Sequence, residues 1–369
     1  WLLCLCLATG IAQVGCSMRN VEVLPEEVSP NPEDFSLTEV PLMTLVSEET
    51  MEAYATSLAA TSGFRAIWVQ IAAAKTPEQA DAMLDRVVEG NFDTIFYCVG
   101  SGAAPYQSEL VTPLSFVTAE YDPLAYVVEQ AHARGLRVHA WWNPGLIMDY
   151  GSLRDERPEW DIASLPEIPD DRHWPNFSLL EVRQFVGDVV MEIVDNYAVE
   201  GVHLDYIRYP DVCSAEGAGC RDFFEVEDIS LTVHDTYQRL KEHRPDVQLS
   251  AAVKADEEVA ATYYLQSWPD WLADGYIDYV MPMAYLSPSR NEQLVYYLAT
   301  WESFEGASRI VPGLSVFVDS DSLELKTPEQ LGKQLALCKK YGFESVAIFD
   351  ERLISDRLLY ALPGFFAAP

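Results

Sequence analysis

The feature that most constrains this chain is a rhythm. Short apolar runs of strand length alternate with helical segments over most of its length. The runs fall at 64–71, 93–99, 136–142, 201–205, 247–253, 277–285, 309–317 and 345–349. Helix starts between them are marked by Thr76-Pro77-Glu78, Asp122-Pro123 and Thr327-Pro328-Glu329. Each offers a side-chain oxygen to orphan amides and a proline where no amide is needed. Behind Asp122, the residues Leu124, Val127, Val128 and Ala131 repeat at i, i+3, i+4 and i+7, and Gly135 stops the helix. Ser178-Leu179-Leu180-Glu181 reads as a capping box ahead of the apolar face Val182 to Val194. The Thr-Pro-Glu-Gln opening at 76–79 recurs at 327–330, the echo of a repeated strand–helix unit. Eight such units over roughly 300 residues suit an α/β fold, a (β/α)8 TIM barrel, better than an open doubly wound sheet. No G-x-G-x-x-G follows the first strand, which counts against dinucleotide binding. We assign residues 61–369 to this single large domain and 17–60 to a linker and leading segment.

Period-two alternation divides each strand into a lumen face and a helix face. In Gly201 to Pro210, His203 and Asp205 share one face, with Asp205 nearer the carboxyl end. The same parity groups Trp68 with Gln70, His139 with Trp141 and Asn143, and Met281 with Met283 and Tyr285. Trp141 and Trp142 cannot both face inward, so one packs against helices. Polar and aromatic groups thus gather at the carboxyl ends of strands, where barrels carry their chemistry. Asp205 is the candidate catalytic carboxylate, with a structural, hydrogen-bonded Asp as the plain alternative. His203 either joins it or only orients it. Sugar hydrolysis usually needs a second carboxylate. Glu109, beside Tyr106 and Ser108 in the loop after strand two, is the first candidate, and Asp350, after strand eight, is the second. The acids at 256–258 and Glu351 are further loop carboxylates, and in so acidic a chain most of these are simply solvated. Arg208 suits a sugar hydroxyl or a carboxylate, or a surface ion pair.

The charge balance is 24 basic against 58 acidic residues, a net −34, which argues against nucleic acid and anionic membrane surfaces as partners. Nine Trp and nineteen Tyr exceed what a core demands and suit stacking on sugar rings. Residues 1–16 read as a truncated export signal, with an apolar run from Trp1 to Ala12 too short to span a bilayer. Val14-Gly15-Cys16-Ser17 resembles the end of a lipobox, with Gln13 where that motif prefers Leu; cleavage after Ala12 competes. The expectation is an exported protein, in the cell envelope and lipid-anchored at Cys16, or else secreted. Of seven cysteines, Cys98 and Cys338 read as core thiols, and Cys213 and Cys220 flank a flexible loop where a local disulfide fits an oxidising compartment. No cysteine or histidine spacing suggests a metal, and no cofactor is expected.

The chain resembles the glycosyl-hydrolase-like family 10, bacterial glycosidase-like TIM barrels. The resemblance rests on Arg65 to Val69, Tyr106 to Leu110, Tyr121 to Leu124, Gly135 to Pro144, Pro158 to Trp160, Glu181 to Arg183, Gly201 to Pro210 and Ile277 to Met283, in family order from about residue 62 to 350. It implies a hydrolase of glycosidic bonds in a bacterial polysaccharide, with peptidoglycan glycan strands as a substrate class. The pattern departs at Tyr206, where family members often carry a second Asp, and at Met283-Ala284-Tyr285, where Gln often precedes the aromatic. Ile207 stands where chitinase-like barrels need a Glu, which argues against substrate-assisted chemistry. The sugar cleft is expected to be lined by Trp68, Tyr106, His139, Trp141, Asn143, His203, Arg208 and Tyr285. Two rivals remain: a non-catalytic glycan-binding barrel, and a metal-dependent hydrolase built on His139, His203 and Asp205.

Overall fold

A computed structural model describes residues 64–165, 173–210, 223–319 and 324–367. Cys16, Cys213, Cys220 and the leading segment 17–60 lie outside the described residues. Eight parallel strands close into a barrel: β1 (Arg65–Val69), β2 (Thr94–Gly100), β3 (Arg137–Trp142), β4 (Gly201–Leu204), β5 (Gln248–Lys254), β6 (Tyr279–Met283), β7 (Gly313–Ser315) and β8 (Val346–Phe349). Each pairs with its neighbours in sequence, and β8 closes on β1 with Ile67 opposite Ile348. The eight sequence runs correspond to these strands, with β4 and β7 shorter than their apolar runs.

The main outer helices are α1 (Pro77–Glu89), α2 (Pro123–Ala133), α3 (Leu180–Asn196), α4 (Val226–His243), α5 (Glu257–Tyr264), α6 (Trp268–Ala273), α7 (Asn291–Glu302), α8 (Pro328–Lys340) and α9 (Asp356–Ala367). Thr76, Asp122 and Thr327 cap α1, α2 and α8 as their sequences predict, each accepting from the amide three residues on. The expected box at Ser178 does not form. Leu179 occupies the cap of α3, and the Ser178 hydroxyl is donated instead to Asn176 Oδ1 at 2.6 Å.

Two apolar layers follow the alternation. Ile67, Val69, Ile95, Tyr97, Val138, Ala140, Trp142, Val202, Leu204, Val280 and Ile348 pack outward against the helices. Ala66, Trp68, Phe96, Cys98, Trp141, Met281, Ala347 and Phe349 fill the lumen. The tryptophan pair divides accordingly: Trp142 turns outward and donates its indole N–H to Ser101 O at 3.2 Å. Gly201 is required by this packing. A Cβ there would meet His139 Nδ1 at 2.4 Å, so only the missing side chain lets the imidazole lie against β4. Cys98 and Cys338 are buried, as expected of core thiols.

Candidate active site

The lumen is polar along one column. At its floor His139 is fully buried, edge-on to Phe96 with ring centroids 5.4 Å apart. Neither ring nitrogen has a hydrogen-bond partner among the described residues, and burial pushes its pKa down to about 3, with the Arg137 charge adding to the effect. His139 is therefore a neutral packing element. His203 stacks on Phe96, with centroids 4.4 Å apart and 17° between planes. Its Nε2 accepts from Trp68 Nε1 at 3.1 Å, and its Nδ1 lies 3.0 Å from Ser250 Oγ. An acceptor at Nε2 fixes the proton on Nδ1, which donates to Ser250. Burial drives the His203 pKa well below its ordinary value, so it too is neutral. Among the described residues no group of His, Cys, Asp and Glu is arranged to hold a metal ion, so His139, His203 and Asp205 do not assemble as the third reading required.

Above this floor β4 ends and the chain turns sharply. Tyr206 sits in the left-handed region at φ 55°, uncommon for a side chain of its size. That turn aims its amide back at the preceding carboxylate, and Asp205 Oδ1 accepts it at 2.7 Å. Asp205 is only 6% exposed. Burial raises its pKa; the Tyr206 amide, the Arg208 and Lys254 charges and the Trp141 indole oppose that without reversing it. Asn143 enters from the end of β3, anchored through Nδ2 to Gly100 O at 3.0 Å, with its buried Oδ1 unpartnered.

A second carboxylate, Asp350, lies at the end of β8, and β4 and β8 stand on opposite sides of the closed ring. Asp350 Oδ2 accepts from Arg352 at 2.7 Å and more weakly from Gln70 at 3.4 Å, while Oδ1 has no partner. Tyr285 lies in the same lumen. Its phenol stacks on Phe349 at 5.3 Å and is raised by burial first and then by the negative charges of Asp205 and Asp350.

Glu109 and Tyr106 are placed elsewhere. Glu109 is exposed, and its backbone amide donates to Glu192 Oε1 of α3 at 2.7 Å. Tyr106 packs in the outer layer, its ring 5.6 Å from Tyr197, and its hydroxyl reaches Glu192 at 3.5 Å. Ser108 donates to the same carboxylate at 2.7 Å. This loop is an anchor onto α3. Of the two candidates for the second carboxylate, Glu109 lies on the outer surface beside α3 and Asp350 lies at the carboxyl end of a barrel strand, as Asp205 does. Trp68, His139, Trp141, Asn143, His203 and Tyr285 do converge on the lumen with Asp205. Arg208 stands at the rim, 4.8 Å from the Tyr206 ring centroid. Sequence reasoning overlooked Ser250, Lys254 and Arg352. Lys254 was legible, because it shares parity with Ser250 on β5.

With this geometry established, comparison identifies the relatives. Residues 63–221 match the Glycosyl hydrolase-like 10 family model. The match takes in β1 to β4 and Asp205, and it is the family whose motifs the sequence resembles. The chain is 25% identical over 237 residues to the glycosyl hydrolase YngK of Bacillus subtilis, covering 55% of this chain and 46% of that protein. It is 24% identical over 274 residues to the glycosyl hydrolase DigH of Escherichia coli, covering 59% of this chain and 60% of that one. The chain thus spans about half the length of the curated relatives it matches. In fold it resembles the PgaB (BpsB) glycoside hydrolase domain of Bordetella bronchiseptica, with TM-score 0.64 and 13% identity over 83% of this chain and 97% of that one. It also resembles alpha-L-fucosidase isoenzyme 2 of Paenibacillus thiaminolyticus, with TM-score 0.54 and 13% identity over 82% of this chain and 48% of that one.

Proposed function

We propose that this protein is an exported glycoside hydrolase acting on a bacterial polysaccharide, with peptide-free peptidoglycan strands as the first substrate to test. The observation that carries the reading is the pair of sheltered carboxylates on opposite strands of the barrel mouth, both felt by the Tyr285 phenol. The family match and the relatives named glycosyl hydrolases support it. Export rests on the apolar segment at residues 1–12 and the lipobox-like junction at Cys16.

Asp205 is suited to the acid role, because burial favours its protonated form and a proton is what the departing glycosidic oxygen needs. Asp350, ion-paired with Arg352, is suited to activate water or to attack the sugar carbon. Asn143 Oδ1 would accept from a sugar hydroxyl, and Trp141 and Tyr285 supply the ring faces. The reading is tested by incubating the protein with a glycan panel that includes peptide-free peptidoglycan, followed by mass analysis of the products. Asp205→Asn should lower turnover by roughly 10²–10⁴-fold with folding retained. Undiminished turnover in that variant removes Asp205 from the chemistry.

The second reading is a glycan-binding barrel without catalysis. It is favoured by the complete burial of Asp350, which suits a structural ion pair. Glycan retention with no product from any member of the panel would select it.

A further inference from the structure

The rim between β4 and β5 carries two cations that act on Asp205 through their charge and whose own ligand the hydrolysis reading leaves unassigned. Arg208 and Lys254 share one aromatic platform: the Arg208 guanidinium lies 5.1 Å from the Tyr264 ring centroid, and Lys254 Nζ lies 4.3 Å from it. Trp174 at 5.5 Å and Tyr206 at 4.8 Å complete the cage around Arg208. Backbone bonds fix the cage. Trp174 Nε1 donates to Arg208 O at 2.8 Å, and the Tyr209 amide donates to Tyr264 O at 3.0 Å. Gln266, fully buried, donates to Ile207 O and accepts from the Lys254 amide, stitching the two strand ends together.

Most described arginines in this acidic chain have a carboxylate partner, among them Arg65, Arg86, Arg134, Arg137, Arg239, Arg244 and Arg352. Among the described residues Arg208 has none, as is also true of Arg154, Arg157, Arg183, Arg290 and Arg309, but of these Arg208 is the one whose charge acts on Asp205. Its one side-chain bond is a long 3.4 Å contact to Tyr209 O, and its Nε has no partner. A guanidinium stacked in a fixed plane presents a fork that matches a carboxylate. The net charge of −34 does not forbid an acidic ligand, because surface charge is screened beyond about 8 Å at physiological salt and these two cations act at contact.

We propose that Arg208 and Lys254, seated on Tyr264 beside Asp205, form a carboxylate-recognition subsite, so that the barrel mouth selects a saccharide bearing an acidic group. The inference rests on the glycan reading above and supplies the substrate's charge. The carboxylate would come from a lactyl ether on an amino sugar or from a uronic acid ring carbon.

The test measures binding by the Asp205→Asn protein, so that turnover does not intrude. The probes are peptide-free peptidoglycan strands and polygalacturonate, each compared with the same polymer after chemical reduction of its carboxyls to alcohols. At least one acidic polymer should bind roughly tenfold or more tightly than its reduced form, and the responding arm identifies the source of the carboxylate. Adding Arg208→Gln should bring the ratio toward one, and Arg208→Lys should restore part of it. Thermal unfolding checks that each variant is folded. Equal binding of acid and reduced forms, binding of neither acid, or a ratio that survives Arg208→Gln together with Lys254→Gln overturns the proposal. Hydrolysis by the unsubstituted protein without any acid preference would sink this inference and leave the hydrolase reading standing. Acid preference without hydrolysis would do the reverse.

Discussion

Replacing Trp68 with Phe isolates the hydrogen bond on which the lumen floor depends. Trp68 is 1% exposed, and its indole N–H is donated to His203 Nε2 at 3.1 Å. Phenylalanine removes the donor and leaves a buried acceptor unsatisfied, a cost of about 1–3 kcal/mol. It also leaves a void of roughly 40 Å³, which at ~24 cal/mol per Å³ adds about 1 kcal/mol. The loss of about 2–4 kcal/mol corresponds to a fall of roughly 4–8 °C in the unfolding midpoint of a domain of this size. Calorimetry of Trp68→Phe, His203→Phe and the double variant separates the contributions. With Phe at 203 the buried indole N–H of Trp68 is itself stranded, so the Trp68 substitution there also removes an unsatisfied donor and should cost less than the void alone, below about 1 kcal/mol. An equal cost in both backgrounds would refute the assignment of Nε2 as the buried acceptor and of the Nδ1 proton with it.

Two further predictions concern titration. Asp205 has a folded pKa above its ordinary 3.8, so its contribution to stability is fully present below that value and is lost as pH rises through the folded one. The midpoint of Asp205→Asn relative to the parent should therefore climb with pH across that window and then level off, as read by thermal scans; a flat difference would argue against a buried carboxyl. Lys326 is 3% exposed, donates to Ser315 O, Ser315 Oγ and Gln334 Oε1, and is pushed down by burial from 10.5 to about 7. The unfolded chain then holds the extra proton, so stability rises between about pH 7 and 10.5, by up to about 5 kcal/mol at ~1.4 kcal/mol per pH unit. Lys326→Met should abolish that rise, and an unchanged slope from pH 7 to 10 would refute it.

The lumen was legible in sequence because strand alternation is strict. Trp68, His139, Trp141, His203 and Asp205 were placed inward by parity alone, and the registers Trp141–His203 and His203–Ser250 bring them to neighbouring positions. Three helix caps were legible for a similar reason, since their chemistry is complete within four residues. The Ser178 box failed because the side chain of Asn176, two residues upstream, claims the serine. The loops were not legible. Tyr106 to Glu109 looked like a cleft motif, yet its conformation is set by Glu192, more than eighty residues away. Where Glu109 and Asp350 come to lie depends on how each loop turns after its strand. No local pattern encodes that.

The turn at Tyr206 has a consequence for how such a barrel diversifies. Asp205 takes its shortest hydrogen bond from the next amide in its own chain. Its orientation is therefore set in part by the strand end itself. The surrounding loops can change length or side chains to meet a different ligand while that hydrogen bond stays in place. The same independence makes Tyr206 the sensitive position. A residue there that prefers ordinary extended backbone would swing the amide away and release the acid, with every loop contact still intact.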